Sequence, residues 1–193
     1  MPGEAWLVVG LGNPGPEYER TRHNAGFRVV DILASRFKAR LKTSRQRALV
    51  GDARDERVRI ILAKPTTFMN ESGEAVGKLA RYHKVPVERI VVVHDEIDLP
   101  VGTLRVKRGG GTAGHKGLDS VVASLGSPDF ARVRVGAGRP ARPKGAADHV
   151  LRPLPKREEE LFAVALEDAA DAVSTVIHHG VAEAQNRFNA ART

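Results

Sequence analysis

Four side chains of this chain have the types and spacing to hydrolyse an ester or amide with activated water: Asn13, His23, Asn70 and Asp95. An imidazole can take a proton from water near neutral pH, and a carboxylate on its other ring nitrogen fixes the tautomer and raises its basicity. An amide can donate to a carbonyl oxygen that turns negative in the transition state. The chain has no cysteine, and no serine stands on a nucleophile-elbow sequence, so direct attack by water is the simplest route. Each residue also has a plainer reading. A histidine near a helix start is by default a surface group. Asn13 sits in a turn where asparagine tolerates unusual backbone angles. Asn70 fits the N-cap of a helix from Glu71 to His83. Phe68 and Met69 beside it are adaptable apolar surface for a side chain or a stacked base, or else ordinary core.

These groups must be positioned by the elements that carry them. Trp6 to Val9 reads as a buried strand that breaks into the turn Gly10-Leu11-Gly12-Asn13-Pro14-Gly15. After Tyr18, Arg20 and Arg22, the chain delivers His23 and Asn24 to a helix with Phe27, Val30, Ala34 and Phe37 on one face. Arg89 to Asp95 is a near-continuous apolar run, as a strand buried on both faces requires. If this strand lies beside the first and parallel to it, Asp95 and His23 come within reach, near a strand end where ligands of open α/β sheets tend to sit.

The remaining pattern fills in the layers. Ala48–Gly51 and Val58–Ala63 read as strands around a charged turn, Asp52 to Arg57, the second ended by Lys64-Pro65. Helices follow on Val76, Leu79, Ala80 and His83, and on Leu118, Val121, Val122 and Leu125. Thr103–Lys107 and Ala131–Gly136 alternate basic and apolar, Gly109–Gly114 is a flexible loop, and Arg139–Ala147 a basic one. A long helix from Pro155 stops at Gly180, and a short one runs to about Arg187. The expected fold is one α/β domain spanning residues 1–193, a twisted, mixed, mainly parallel sheet with helices on both faces.

Two other site types fit poorly. Gly10-x-Gly12-x-x-Gly15 matches the dinucleotide-binding pattern, but Pro14, Pro16 and the polar run to Arg22 delay the helix that should open at once. The histidine pairs His94-Asp95 and His178-His179 are adjacent in sequence and point apart on regular structure, so no metal site is expected.

The charge balance points to a polyanion. Lys and Arg number 31 against 23 Asp and Glu, a net charge of +8, and positive patches attract phosphates and release counterions. Arg105 with Lys107, and Arg132 with Arg134, share a face by period two, which makes an RNA-backbone track the alternative to a solvated face. No apolar run is long enough to span a bilayer, no signal peptide is expected, and the absence of cysteine fits the cytoplasm.

Four ordered blocks carry a resemblance: Gly10–Gly15 followed by Thr21–Phe27, Lys64–Gly73, His94–Pro100, and Gly109–Gly111 through Gly114–Leu118. Together they resemble the bacterial peptidyl-tRNA hydrolases nearly from end to end. The resemblance implies hydrolysis of the ester joining a peptide to tRNA, with no cofactor, by a cytoplasmic monomer without an obligate protein partner. It places the general base on His23, its carboxylate on Asp95, and the substrate amides on Asn13 and Asn70. Tyr18, Phe68, Met69, His115 and Lys116 fall on substrate-binding positions, and Lys107, Arg134 and Lys144 on tRNA contacts. Lys116 departs from the family's usual asparagine. A non-catalytic RNA-binding protein on the same fold is the alternative.

Overall fold

The computed structural model describes residues 4–142 and 145–190. Its first strand, β1 (Trp6–Gly10), is covered on both faces: Leu7 and Val9 point into one apolar layer and Val8 into the other. The chain continues through α1 (Ala25–Arg36), β2 (Lys42–Thr43), β3 (Ala48–Asp55), β4 (Val58–Pro65), α2 (Ser72–His83) and β5 (Ile90–Glu96). It ends with β6 (Leu104–Arg108), α3 (Lys116–Leu125), β7 (Ala131–Gly136), α4 (Ala146–Val150) and α5 (Lys156–Phe188).

The seven strands form one sheet in the order β2-β3-β4-β1-β5-β7-β6. β4, β1, β5 and β7 run parallel, and antiparallel strands close both edges. On one face α1 and α5 bury Val29, Val30, Leu33, Phe162 and Val173. On the other, α2 and α3 bury Val76, Leu79, Leu118 and Val121. The α/β class, the mixed sheet and the helices on both faces therefore stand as read from the sequence.

Local differences have local causes. β3 continues to Asp55 because Asp52–Asp55 pair with Val58–Ile61, leaving only Glu56 and Arg57 in the turn. Its charges survive in a strand because Asp52 and Arg54 are exposed while Gly51 and Ala53 are buried. Pro65 ends β4 from inside it, opposite Ala48. The alternation of β7 does not mark an open face: the strand lies between β5 and β6 with nearly every residue buried. α4 occupies the end of the stretch read as a basic loop. The predicted stop at Gly180 is a bend, with φ 88° and ψ 167°, after which the helix resumes to Phe188.

Candidate active site

The site stands at the end of the parallel strands, where two glycines let backbones approach. A Cβ on Gly10 would fall 2.0 Å from the carbonyl oxygen of Gly26, and one on Gly26 would fall 2.3 Å from the Leu11 nitrogen and the Val93 oxygen. Any side chain there would push α1 off the ends of β1 and β5. With both glycines, Leu11 donates its N–H to Val93 O at 3.0 Å. The 3-10 turn Arg22–Asn24 that opens α1 is thereby held against β5.

This turn places His23 beside Asp95, with Nδ1 2.8 Å from Oδ1. A carboxylate accepts, so His23 carries its proton on Nδ1 and presents Nε2 as a free base. The parallel pairing of β1 and β5 that would bring the two together is present in the sheet.

The dinucleotide pattern does not survive in three dimensions. Gly15 leads into one 3-10 turn, Pro16–Tyr18, then a second, and the α-helix begins only at Ala25. The turn instead holds Asn13, 9% exposed. Asn13 N–H donates to Asn24 Oδ1 at 2.8 Å, and Asn24 Nδ2 donates back to Asn13 O at 2.9 Å. The Met69 N–H donates to Asn13 Oδ1 at 2.8 Å, which leaves the Asn13 Nδ2 donors for a ligand. Sequence reasoning missed Asn24 as the clamp; the two amides are eleven residues apart on separate turns, and only the fold brings them together.

His115 plays a part its substrate-binding assignment did not foresee. Its Nε2 lies 2.8 Å from the same oxygen, Asp95 Oδ1, and its Nδ1 accepts from the Leu118 N–H at 3.3 Å as the N-cap of α3. Burial opposes charge on Asp95, but the His23 and His115 imidazoles outweigh it and hold the carboxyl far below the usual carboxylate range. Burial also opposes charge on His115; the Asp95 carboxylate outweighs it and raises that imidazole. His94 is the third ring, T-shaped against His115 at 4.9 Å. Its Nδ1 donates to the Asp95 carbonyl at 2.7 Å, and burial, followed by the His115 charge, pushes it down to about 3, so it stays neutral.

His23, Asp95 and Asn13 line one cavity of about 560 Å³, with Phe68, Asn70 and Lys116 also on its wall. Phe68 is 58% exposed, whereas Met69 is buried. Asn70 is exposed in a 3-10 turn, Met69–Glu71; Glu71 is the residue at the N-cap position of α2, so the capping role read for Asn70 does not hold. Lys116 is the exposed first residue of α3. Tyr18 does not line the cavity; its carbonyl accepts from the N–H and hydroxyl of Thr21.

The basic track is narrower than the alternation implies. Arg132 is fully buried and donates to the carbonyls of Gly110, Gly111 and Pro128 at 2.7 to 3.1 Å. It pins the glycine loop rather than facing a partner. Arg134 donates to Glu96 at 2.5 Å, and Glu96 lines the cavity. Burial and then the Arg134 and Arg132 charges lower the Lys107 ammonium. Lys107 and Arg134 lie on β6 and β7, outside the cavity, and Lys144 falls outside the described residues.

His23, Asp95 and His115 also offer three metal-ligand atoms within 4.8 Å of one another. This trio comes from three separate elements, which sequence spacing could not reveal. Both imidazoles spend a proton on the one Asp95 oxygen, and a cation there would displace both.

The geometry agrees with what the chain resembles. The sequence model of the peptidyl-tRNA hydrolase family matches residues 7–193. A peptidyl-tRNA hydrolase of Frankia casuarinae is 51% identical over 96% of this chain and 94% of its own length. One from Leifsonia xyli is 49% identical over 96% and 97%. The crystal structure of peptidyl-tRNA hydrolase from Acinetobacter baumannii superposes with a TM-score of 0.92 at 37% identity, covering 100% of this chain and 97% of that one. The chain belongs to the peptidyl-tRNA hydrolase family.

Proposed function

We propose that His23 is the general base in the hydrolysis of peptidyl-tRNA, the activity this chain has as a member of its family. The observation that carries the assignment is the 2.8 Å contact of His23 Nδ1 with Asp95, which leaves Nε2 as the free nitrogen of a ring that lines the cavity. Water bound at Nε2 loses a proton as its oxygen attacks the ester carbonyl. Oxygen's electron pair forms the new C–O bond, and the imidazolium is stabilised by Asp95. Collapse of the tetrahedral intermediate breaks the bond to the ribose oxygen, which takes the proton back from His23. Asn13 Nδ2 and the Asn70 amide are the neutral donors available to the substrate carbonyls.

Lys107 and Arg134 supply the backbone contacts for tRNA, and Lys116 adds a charge at the cavity lip. The non-catalytic alternative needs Lys116 to disable the site, yet the His23–Asp95 pair is intact beside it. Among the described residues no helix is long and apolar enough to cross a membrane; with peptidyl-tRNA as substrate, this supports reading the chain as a cytoplasmic hydrolase, one unit that works as a monomer. The test is deacylation of an N-blocked aminoacyl-tRNA against its unblocked counterpart. Release from the blocked ester alone is expected; tRNA binding without release would favour the alternative.

A further inference from the structure

Arg22 and His23 are consecutive in one 3-10 turn, yet their side chains serve different parts of the cavity. His23 turns to Asp95. Arg22 is 6% exposed and reaches the C-terminal end of α4. Its Nη1 lies 3.1 Å from His149 O, 3.3 Å from Arg152 O and 3.5 Å from Pro153 O, and its Nη2 donates to Glu158 Oε2 at 3.2 Å. The last carbonyls of a helix have no partners within it, and α4 has only five residues. One arm of the guanidinium fork, Nη1, supplies donors for the carbonyls that close this segment, while the other, Nη2, ties it to Glu158. Thr21 adds a backbone bridge to Pro153, and His149 Nε2 faces the carbonyls of Ala137 and Gly138 at 3.2 and 2.9 Å.

The segment held this way brings Ala146, Ala147, Val150 and Leu151 to the cavity, a wall without a polar side chain. Its position relative to the base is therefore set through two adjacent residues of one turn. The cations suited to phosphate, Lys107 and Arg134, lie elsewhere. An apolar wall gains free energy by covering hydrocarbon.

We propose that Arg22 is a positioning residue: it holds the α4 wall at a set place beside His23, and that wall receives the aminoacyl side chain next to the scissile ester. The proposal rests on the hydrolase reading above. A misplaced wall loses binding that ground state and transition state share, so it raises KM and leaves kcat. A lysine at this position keeps the charge but has one ammonium nitrogen, which cannot meet both the carbonyls held by Nη1 and the Glu158 carboxylate held by Nη2.

The experiment is steady-state kinetics of wild type, Arg22→Lys and Glu158→Gln on N-acetyl-phenylalanyl-tRNA and N-acetyl-glycyl-tRNA, with deacylated tRNA as competitive inhibitor. Arg22→Lys is expected to raise KM for the phenylalanyl ester at least about fivefold more than for the glycyl ester, with kcat within about twofold. The inhibition constant of deacylated tRNA should not move. Glu158→Gln, on a half-exposed side chain, should shift KM the same way by less, and it decides the matter if the lysine variant does not fold. Unchanged KM, an equal rise for both esters, or a fall confined to kcat would overturn the proposal. So would a matching rise in the inhibition constant, which would seat the terminal adenosine on the wall. A wild type that releases neither acid would sink the hydrolase reading itself; an active wild type with insensitive variants would sink only the role of Arg22.

Discussion

His23 Nδ1 and His115 Nε2 address a single oxygen, Oδ1 of Asp95, each at 2.8 Å. The carboxylate's hold on the base is thus shared with a second imidazole whose ring lies 5.2 Å from the first. Hydrogen bonds converging on one buried acceptor act as a network, and its members are not independent. His115 is also tied to the start of α3, so the network joins the base turn, the end of β5 and the glycine loop.

Stability should report this sharing as a function of pH. Asp95, Glu96 and Asp119 act on His115 as negative charges, and the His23 and His94 rings lie beside it; Asp95 stays ionised and His94 neutral near pH 7. The folded His115 is raised above its unfolded value of about 6.5, so the stability it contributes is fully present below that pH. It is lost as pH rises through the folded value. Urea unfolding of wild type and His115→Gln should show the wild-type advantage largest at acidic pH and shrinking toward alkaline pH. An advantage that grew with pH would contradict the raised value.

Asn70 separates two roles in one measurement. As an N-cap, its loss would cost about 1 kcal/mol. Exposed in the turn ahead of Glu71, its replacement by alanine should change stability by less than about 0.5 kcal/mol. The same variant should lower kcat/KM on an N-blocked aminoacyl-tRNA by about tenfold, the scale of one neutral hydrogen bond. A large fall in unfolding midpoint with normal kinetics would restore the capping role.

Much of this was legible beforehand because it rests on local pattern. The near-continuous apolar run Arg89–Asp95 suits a doubly covered strand, and the condition that it lie parallel beside β1, which the sheet meets, is enough to bring Asp95 to His23. What escaped depends on how elements meet. Nothing local says that α3 enters over the end of β5, so the His115 share of Asp95 was invisible. Arg132 looked solvated because alternating charge usually is; burial became possible only when the glycine loop and Pro128 aimed carbonyls at it. α4 is too short for a helical period and lies in a stretch rich in Pro, Gly and basic residues.

The arginines and lysines of β6 and β7 should accordingly divide. Arg132→Met removes the guanidinium's hydrogen bonds to three carbonyls from a fully buried position and should destabilise the fold by about 3 kcal/mol, read from urea unfolding. Arg134→Gln and Lys107→Gln should leave stability nearly intact and weaken tRNA binding. For every phosphate that a variant no longer neutralises, the slope of log K against log salt should flatten by about 0.7 to 0.9. A normal slope in the double variant would show that these cations do not meet RNA.

The base itself gives the most direct test. His23→Ala, assayed by single-turnover release from N-acetyl-phenylalanyl-tRNA at saturating enzyme, should lose at least about 10³-fold in rate, as expected when a general base is removed. Its tRNA affinity should stay within about twofold, because a base held on Asp95 contributes proton transfer rather than backbone contacts. Release at a near wild-type rate by a correctly folded His23→Ala would contradict the assignment of His23 and, with it, the account of the site.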